Sequence, residues 1–156
     1  MFDILEDDLT SEQSRSLLAL HLAGMHARSP LEPVFALDLS GLKVPDVTVW
    51  SAWRDDRIAS IGAMKLLGGA QAEVKSMRTH PDFLRMGAAA ALLDTIINAA
   101  RANGVTRLSL ETGSGPRFEP ALALYRKRGF RPGGAFSDYE ASEFNQFFLL
   151  DLHEPA

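Results

Sequence analysis

The chain contains no cysteine. This excludes a disulfide framework, a thiolate metal site and a cysteine nucleophile, and it agrees with a reducing interior. Long hydrophobic runs are missing too. No uninterrupted apolar stretch approaches membrane-spanning length, and the acidic amino terminus, MFDILEDDL, has too short an apolar part for a signal peptide. The expectation is a soluble, cytoplasmic protein that does not engage membranes. Excess positive charge is likewise absent: a formal net charge of −4 argues against a nucleic-acid binder, which needs a basic face. Arg117, Arg126, Lys127, Arg128 and Arg131 do crowd together, but such a run reads as a solvated helix face or a helix end that complements the dipole. Four histidines without regular spacing or a His-x-x-x-His pair predict no metal site. Neither a Gly-x-Gly-x-x-Gly turn nor a Gly-Lys-Ser/Thr sequence is present, which weighs against a nucleotide-binding loop.

What is present fits one α/β domain spanning residues 1–156, because 46% hydrophobic content at this length supplies a sizeable core. Phe2 to Leu5 reads as a strand. A helix follows from Thr10 or Ser11, carrying Leu17, Leu18, Leu20, Leu22 and Met25. Pro30 and Pro33 bend the next stretch, with a short helix expected over Val34 to Leu39. Val47 to Arg54 and Ile58 to Leu67 form a hairpin at Asp55-Asp56, and a third strand runs from Gln71 to Thr79. A long helix ends near Asn103-Gly104 and a strand ends at Glu111. A helix with Pro120 in its first turn stops at Gly129, a loop passes Pro132 to Gly134, and an aromatic strand closes the chain from Phe144 to Leu152. That last strand either completes the sheet or pairs across a homodimer.

The most informative segment is EVKSMRTHPDFLRMGAAAALL, Glu73 to Leu93. Val74 and Met77 suit a strand, Pro81 breaks it, and Ala89, Leu92, Leu93, Ile96, Ile97 and Ala100 recur at helical spacing. Between Leu84 and Ala90 no Ser, Thr, Asp or Asn is available to cap the first turn. An anion suits such an end, since its free amides and the positive end of the dipole favour phosphate and small residues allow close approach. The competing reading is that Asp82 caps a helix beginning at Phe83, with water satisfying the rest.

Pro81, Asp82, Phe83, Leu84, Arg85, Met86, Gly87, Ala88 and Ala89 resemble motif A of the GNAT acyltransferases, Pro-x-Tyr-Arg-x-x-Gly-x-Gly/Ala before an Ala/Leu-rich helix. Leu84 stands where that family usually has Arg or Gln. ALALYRKRGF, Ala121 to Phe130, is similar to its motif B, although Phe118 replaces the asparagine that often opens it. The order of elements matches the family over nearly the whole chain. The resemblance implies a GNAT acyl-CoA N-acyltransferase fold: a mixed, mostly antiparallel central sheet flanked by helices and splayed between its two central strands. It also implies an N-acetyltransferase that uses acetyl-CoA as co-substrate and a small-molecule amine as acceptor. With no cysteine to carry an acyl group, attack would be direct in a ternary complex. A non-catalytic acyl-CoA-binding sensor or interaction module is the alternative, favoured by Leu84 and Phe118.

The roles implied by the resemblance are these. Glu73, eight residues before Pro81, accepts the ammonium proton directly or through water, and Tyr125 protonates the departing thiolate. A bulge within Lys75 to Arg78 splays that strand from its neighbour, and the pantetheine arm bonds in the gap. The Met77 amide, with Arg78 and Thr79 beside it, serves the oxyanion, and Leu84, Arg85, Met86, Gly87, Ala88, Ala89 and Ala90 cradle the diphosphate. His26, Ser29, Glu32 and Glu111 face the acceptor, with His21, Asp38, Asp138 and Tyr139 nearby. For Glu73 the plainer reading is a charged residue at a strand edge beside Lys75, and for Tyr125 a core residue with its hydroxyl at the rim.

Overall fold

The computed structural model describes residues 2–26, with side chains through Ala19, together with 42–112, 119–134, 136 and 146–152. Strand β1 (Asp3–Glu6) leads into helix α1 (Glu12–His26). The Ser11 hydroxyl caps this helix by accepting from the Ser14 amide at 3.0 Å. The turn before it is held by the Asp7 carboxylate, which accepts from the Leu9 amide (2.7 Å) and from the Ser14 and Ser51 hydroxyls (2.6 and 2.7 Å). These bonds tie the entry of α1 to β2 (Val47–Arg54), which forms the expected hairpin with β3 (Arg57–Gly68). Next come β4 (Gln71–Thr79), a 3₁₀ turn (Pro81–Phe83), α2 (Ala88–Ala102), β5 (Arg107–Thr112), α3 (Glu119–Lys127), β6 (Arg131–Pro132) and β7 (Gln146–Asp151).

The seven strands form one sheet in the order β1-β2-β3-β4-β5-β7-β6, antiparallel throughout except for the parallel neighbours β4 and β5. Side chains that alternate along each strand feed a core on each face, and a smaller cluster of Ala52, Ala59, Phe83 and Ala88 stands apart. On one face Met64, Ala72, Val74, Leu108 and Leu110 pack with Leu92, Leu93 and Ile96 of α2 and with Leu122 and Tyr125 of α3. On the other, Val49, Ile61 and Ala63 pack with Leu9, Leu17 and Leu18. Each fully buried leucine or isoleucine contributes roughly 1.5–3 kcal/mol, so these clusters hold both helix layers on the sheet.

Several expectations shift. Arg131–Pro132, expected to be loop, forms the short edge strand β6 against Leu149 and Phe148, a place where proline's missing N–H costs nothing. The aromatic strand β7 lies between β5 and the two-residue β6. Its described part starts at Gln146, and Phe144 lies outside the described residues, as does the expected helix over Val34 to Leu39. On α2 the buried stripe begins at Ala88 rather than Ala89.

Candidate active site

Glycine at position 87 sets the geometry of the turn after β4. Its φ of 92° lies in the left-handed region, and it serves as N-cap of α2 with no side-chain hydrogen bond. Arg85 is also left-handed, at φ 63°. The Asp82 carboxylate does not reach the helix: it accepts from Arg57 at 2.6 Å, while the Asp82 amide donates to His80 Nδ1 at 3.0 Å. Helical bonding begins with the Ala91 amide, which donates to the Gly87 carbonyl at 3.0 Å. No acceptor for the amides of Ala88, Ala89 and Ala90 is found among the described residues. The Ala88 side chain is buried with Ala52, Ala59 and Phe83, Ala89 and Ala90 are half-buried, and Leu84 and Met86 are exposed on the approach. The result is a helix end with open donors and small side chains, suited to a phosphate.

A second feature lies on β4. Its parallel pairing with β5 runs from Gln71↔Arg107 to Val74↔Leu110 and stops there, although β4 continues to Thr79 and β5 to Thr112. The strands therefore part, leaving a wedge. Pairing with β3 continues but slips: Ala63 faces Lys75 and Ile61 faces Arg78, so the single residue Gly62 stands opposite Ser76 and Met77. This is a β-bulge, and Ser76 takes it up at φ 57°. The bulge explains why Val74 and Met77, three apart, both meet the core beneath α2.

Polar groups gather at the wedge. Glu73 is 3% exposed, on a central strand rather than at an edge, paired with Lys65 on β3 and Ser109 on β5. Glu73, Lys75 and Arg78 share the face that carries Ile61 and Ala63. Glu111, two residues beyond Ser109, shares that face on β5. Burial, and then the nearby Glu73 charge, push the Glu111 carboxyl above the usual carboxylate range, while Lys75 opposes the shift. Tyr125 belongs to the opposite core. It is 6% exposed, packs edge-to-face on Phe130 with ring centroids 5.6 Å apart, and burial pushes its hydroxyl up to about 12. That hydroxyl makes no hydrogen bond among the described residues. Such a group holds its proton at neutral pH and can donate it.

The remaining sequence candidates are placed as follows. His21 and His26 lie on α1, the latter at its last position, and their side chains are outside the described set. Ser29, Glu32, Asp38, Phe118, Asp138 and Tyr139 are outside it altogether. Three members of the basic run are ion-paired: Arg126 meets Glu119 (3.6 Å), Arg128 meets Asp94 (2.7 Å) and Arg131 meets Asp151 (2.6 Å), while Arg117 lies outside the described residues. Among the described residues no group of three acidic or histidine side chains is arranged for a metal, and no helix is long and apolar enough to cross a membrane. The bulge falls within Lys75 to Arg78, where the family resemblance implies one, and Ser76 is the residue that takes it up. Sequence reasoning missed its partner on β3, Gly62, for which the odd Val74–Met77 spacing was the signal.

Comparison with known proteins gives a consistent result. The model of the acetyltransferase (GNAT) family matches residues 5–130. The chain is 43% identical over 154 residues to YedL, an uncharacterised N-acetyltransferase of Escherichia coli (strain K12), covering 99% of this chain and 97% of the relative. It is 47% identical over 146 residues to YsnE, an uncharacterised N-acetyltransferase of Bacillus subtilis (strain 168), covering 94% and 97%. Among solved structures, a Bacillus subtilis acetyltransferase in complex with CoA superimposes with a TM-score of 0.72 at 17% identity, over 98% of this chain and all of that one.

Proposed function

This chain belongs to the acetyltransferase (GNAT) family and is an acyltransferase, and from that premise we propose that it transfers an acetyl group from acetyl-CoA to the amine of a small metabolite. The observation that carries the reading is the open, uncapped start of α2 at Gly87, which directly follows a strand bulged at Ser76 and parted from β5. A diphosphate on the α2 amides would send a pantetheine arm along β4 into the wedge. The Bacillus subtilis acetyltransferase of similar fold, found in complex with CoA, supports that reading.

The wedge gives access from both faces of the sheet. On one, Glu73 takes the proton of the acceptor ammonium, directly or through water, and Glu111 adds a second carboxylate that favours a cationic acceptor. Main-chain amides at Met77, Arg78 and Thr79 receive the charge that develops on the carbonyl oxygen. From the other face, Tyr125, protonated at neutral pH, returns a proton to the departing thiolate. The amine attacks the thioester directly within a ternary complex, because no cysteine is present to hold the acyl group.

The test is thiol release from acetyl-CoA across a panel of amines, with initial rates measured at several fixed concentrations of each substrate. Intersecting double-reciprocal lines are expected. Parallel lines would replace direct attack by an acyl-enzyme route, and tight acetyl-CoA binding with no thiol release on any amine would sink the transferase reading in favour of a sensor module.

A further inference from the structure

We propose that Gly62 is a positioning residue: its missing side chain is a socket for the Met77 thioether, and that socket sets the phase of the β4 bulge. Gly62 has no unusual φ, so its backbone would accept any residue, and only space excludes one. A Cβ built there would overlap Met77 Sδ and lie 3.3 Å from Leu92 Cδ2 and 3.4 Å from Ile96 Cδ1. The first contact could be relieved by moving a thioether. The other two remain wherever the thioether goes, and Leu92 and Ile96 are fully buried on α2.

The same side chain links three features. Met77 is on the bulge, half-buried against the main core, and it sits opposite a one-residue stretch of β3 that the register requires to face two residues. Its socket is walled by the helix whose N-terminus offers the open amides. The β3 strand, the bulge and α2 are thus locked at one contact. A thioether forced out of it would carry the Met77 main chain with it and unsettle Ser76 at its left-handed φ.

The role in acetyl transfer rests on the function proposed above, whereas the socket itself does not, and the experiment separates them. Gly62→Ala, Met77→Ala and the double variant are compared with the parent by thermal unfolding, acetyl-CoA titration and steady-state kinetics. Methyl NMR of labelled methionines, assigned through Met77→Ala, is run without any ligand. Gly62→Ala is expected to shift the Met77 methyl resonance and to lower kcat/KM for acetyl-CoA about tenfold or more, as overpacking of a filled site should. The double variant is expected to recover most of that loss, which a merely structural role for Gly62 would not predict. An unshifted methyl resonance in Gly62→Ala overturns the socket. A shifted resonance with kinetics within about twofold of the parent, or no recovery in the double variant, overturns the positioning role. If the parent neither binds nor turns over acetyl-CoA, the functional reading fails while the resonance still decides the socket.

Discussion

Val74 and Leu110 form the last rung of the parallel pairing between β4 and β5, and the next residue on each strand, Lys75 and Glu111, stands on a lip of the wedge. This position explains the state of Glu111. It is half-buried and near Glu73, so its carboxyl is pushed above its ordinary value, with burial as the larger cause. A carboxyl raised on folding favours the folded state while it is protonated, below its unfolded pKa, and that contribution is lost as pH rises through the folded pKa. Glu111→Gln should therefore raise Tm at pH 8 relative to the parent, and the gain should shrink toward pH 4. Carboxyl NMR should in addition find the Glu111 pKa lowered in Glu73→Gln. A Glu111 that titrates identically in both proteins would separate the two carboxylates.

Tyr125 makes a sharper prediction because packing and chemistry pull in opposite directions. Its buried hydroxyl has no partner among the described residues, so Tyr125→Phe should leave Tm unchanged or slightly higher. If the hydroxyl supplies the proton to the thiolate, kcat should fall about 100-fold, within the range for general acid catalysis, while acetyl-CoA affinity changes little. The raised hydroxyl also implies that the parent loses stability as pH rises through the interval from 10 to about 12, since ionisation there favours the unfolded chain. Equal turnover in the two proteins would reduce Tyr125 to a packing residue.

The fold was largely legible because it is written in periodicity and punctuation. Strand β4 could be bounded from Gln71 to Thr79 by Gly69 and Pro81, and the long helix by its apolar stripe and Asn103-Gly104. The uncapped helix start was readable as a lack of capping side chains. The bulge came only from the family resemblance, which placed it within Lys75 to Arg78. Its exact residue and its partner Gly62 depend on which β3 residue lies opposite Ser76 and Met77, and cross-strand register is a property of the assembled sheet. The burial of Glu73 escaped for a related reason: nothing within β4 says that β5 will pair on its other side. The two-residue strand β6 is too short to show any alternation.

Asp82→Ala tests which group prepares the helix start. The carboxylate is committed to Arg57, whose hydrogen bond holds its pKa below the ordinary value, and both groups are exposed. An exposed pair adds little stability, and its small contribution fades as pH falls through the lowered pKa. Helical content by circular dichroism and acetyl-CoA affinity should both stay within about twofold of the parent's, as expected for loss of a surface pair. A clear loss of helix would mean that Asp82 caps α2 in solution.

Gly87 allows backbone strain and ligand repulsion to be measured apart. A Cβ there would meet nothing within 4 Å, so the cost of replacement is the left-handed φ alone, about 1–2 kcal/mol for most residues and less for Asn. Gly87→Asn should accordingly keep most of the parent's Tm and much of its CoA affinity. Gly87→Glu pays the φ penalty too, but its carboxylate is favourably placed at a helix N-terminus, so it should be no less stable than Gly87→Ala. That same carboxylate occupies the place proposed for the diphosphate, and CoA affinity in Gly87→Glu should drop about tenfold or more below that of Gly87→Asn, on the scale of a lost charge-assisted contact. Calorimetry on the two proteins compares them directly: if Glu and Asn at position 87 bind CoA alike, the α2 amides do not hold its phosphates.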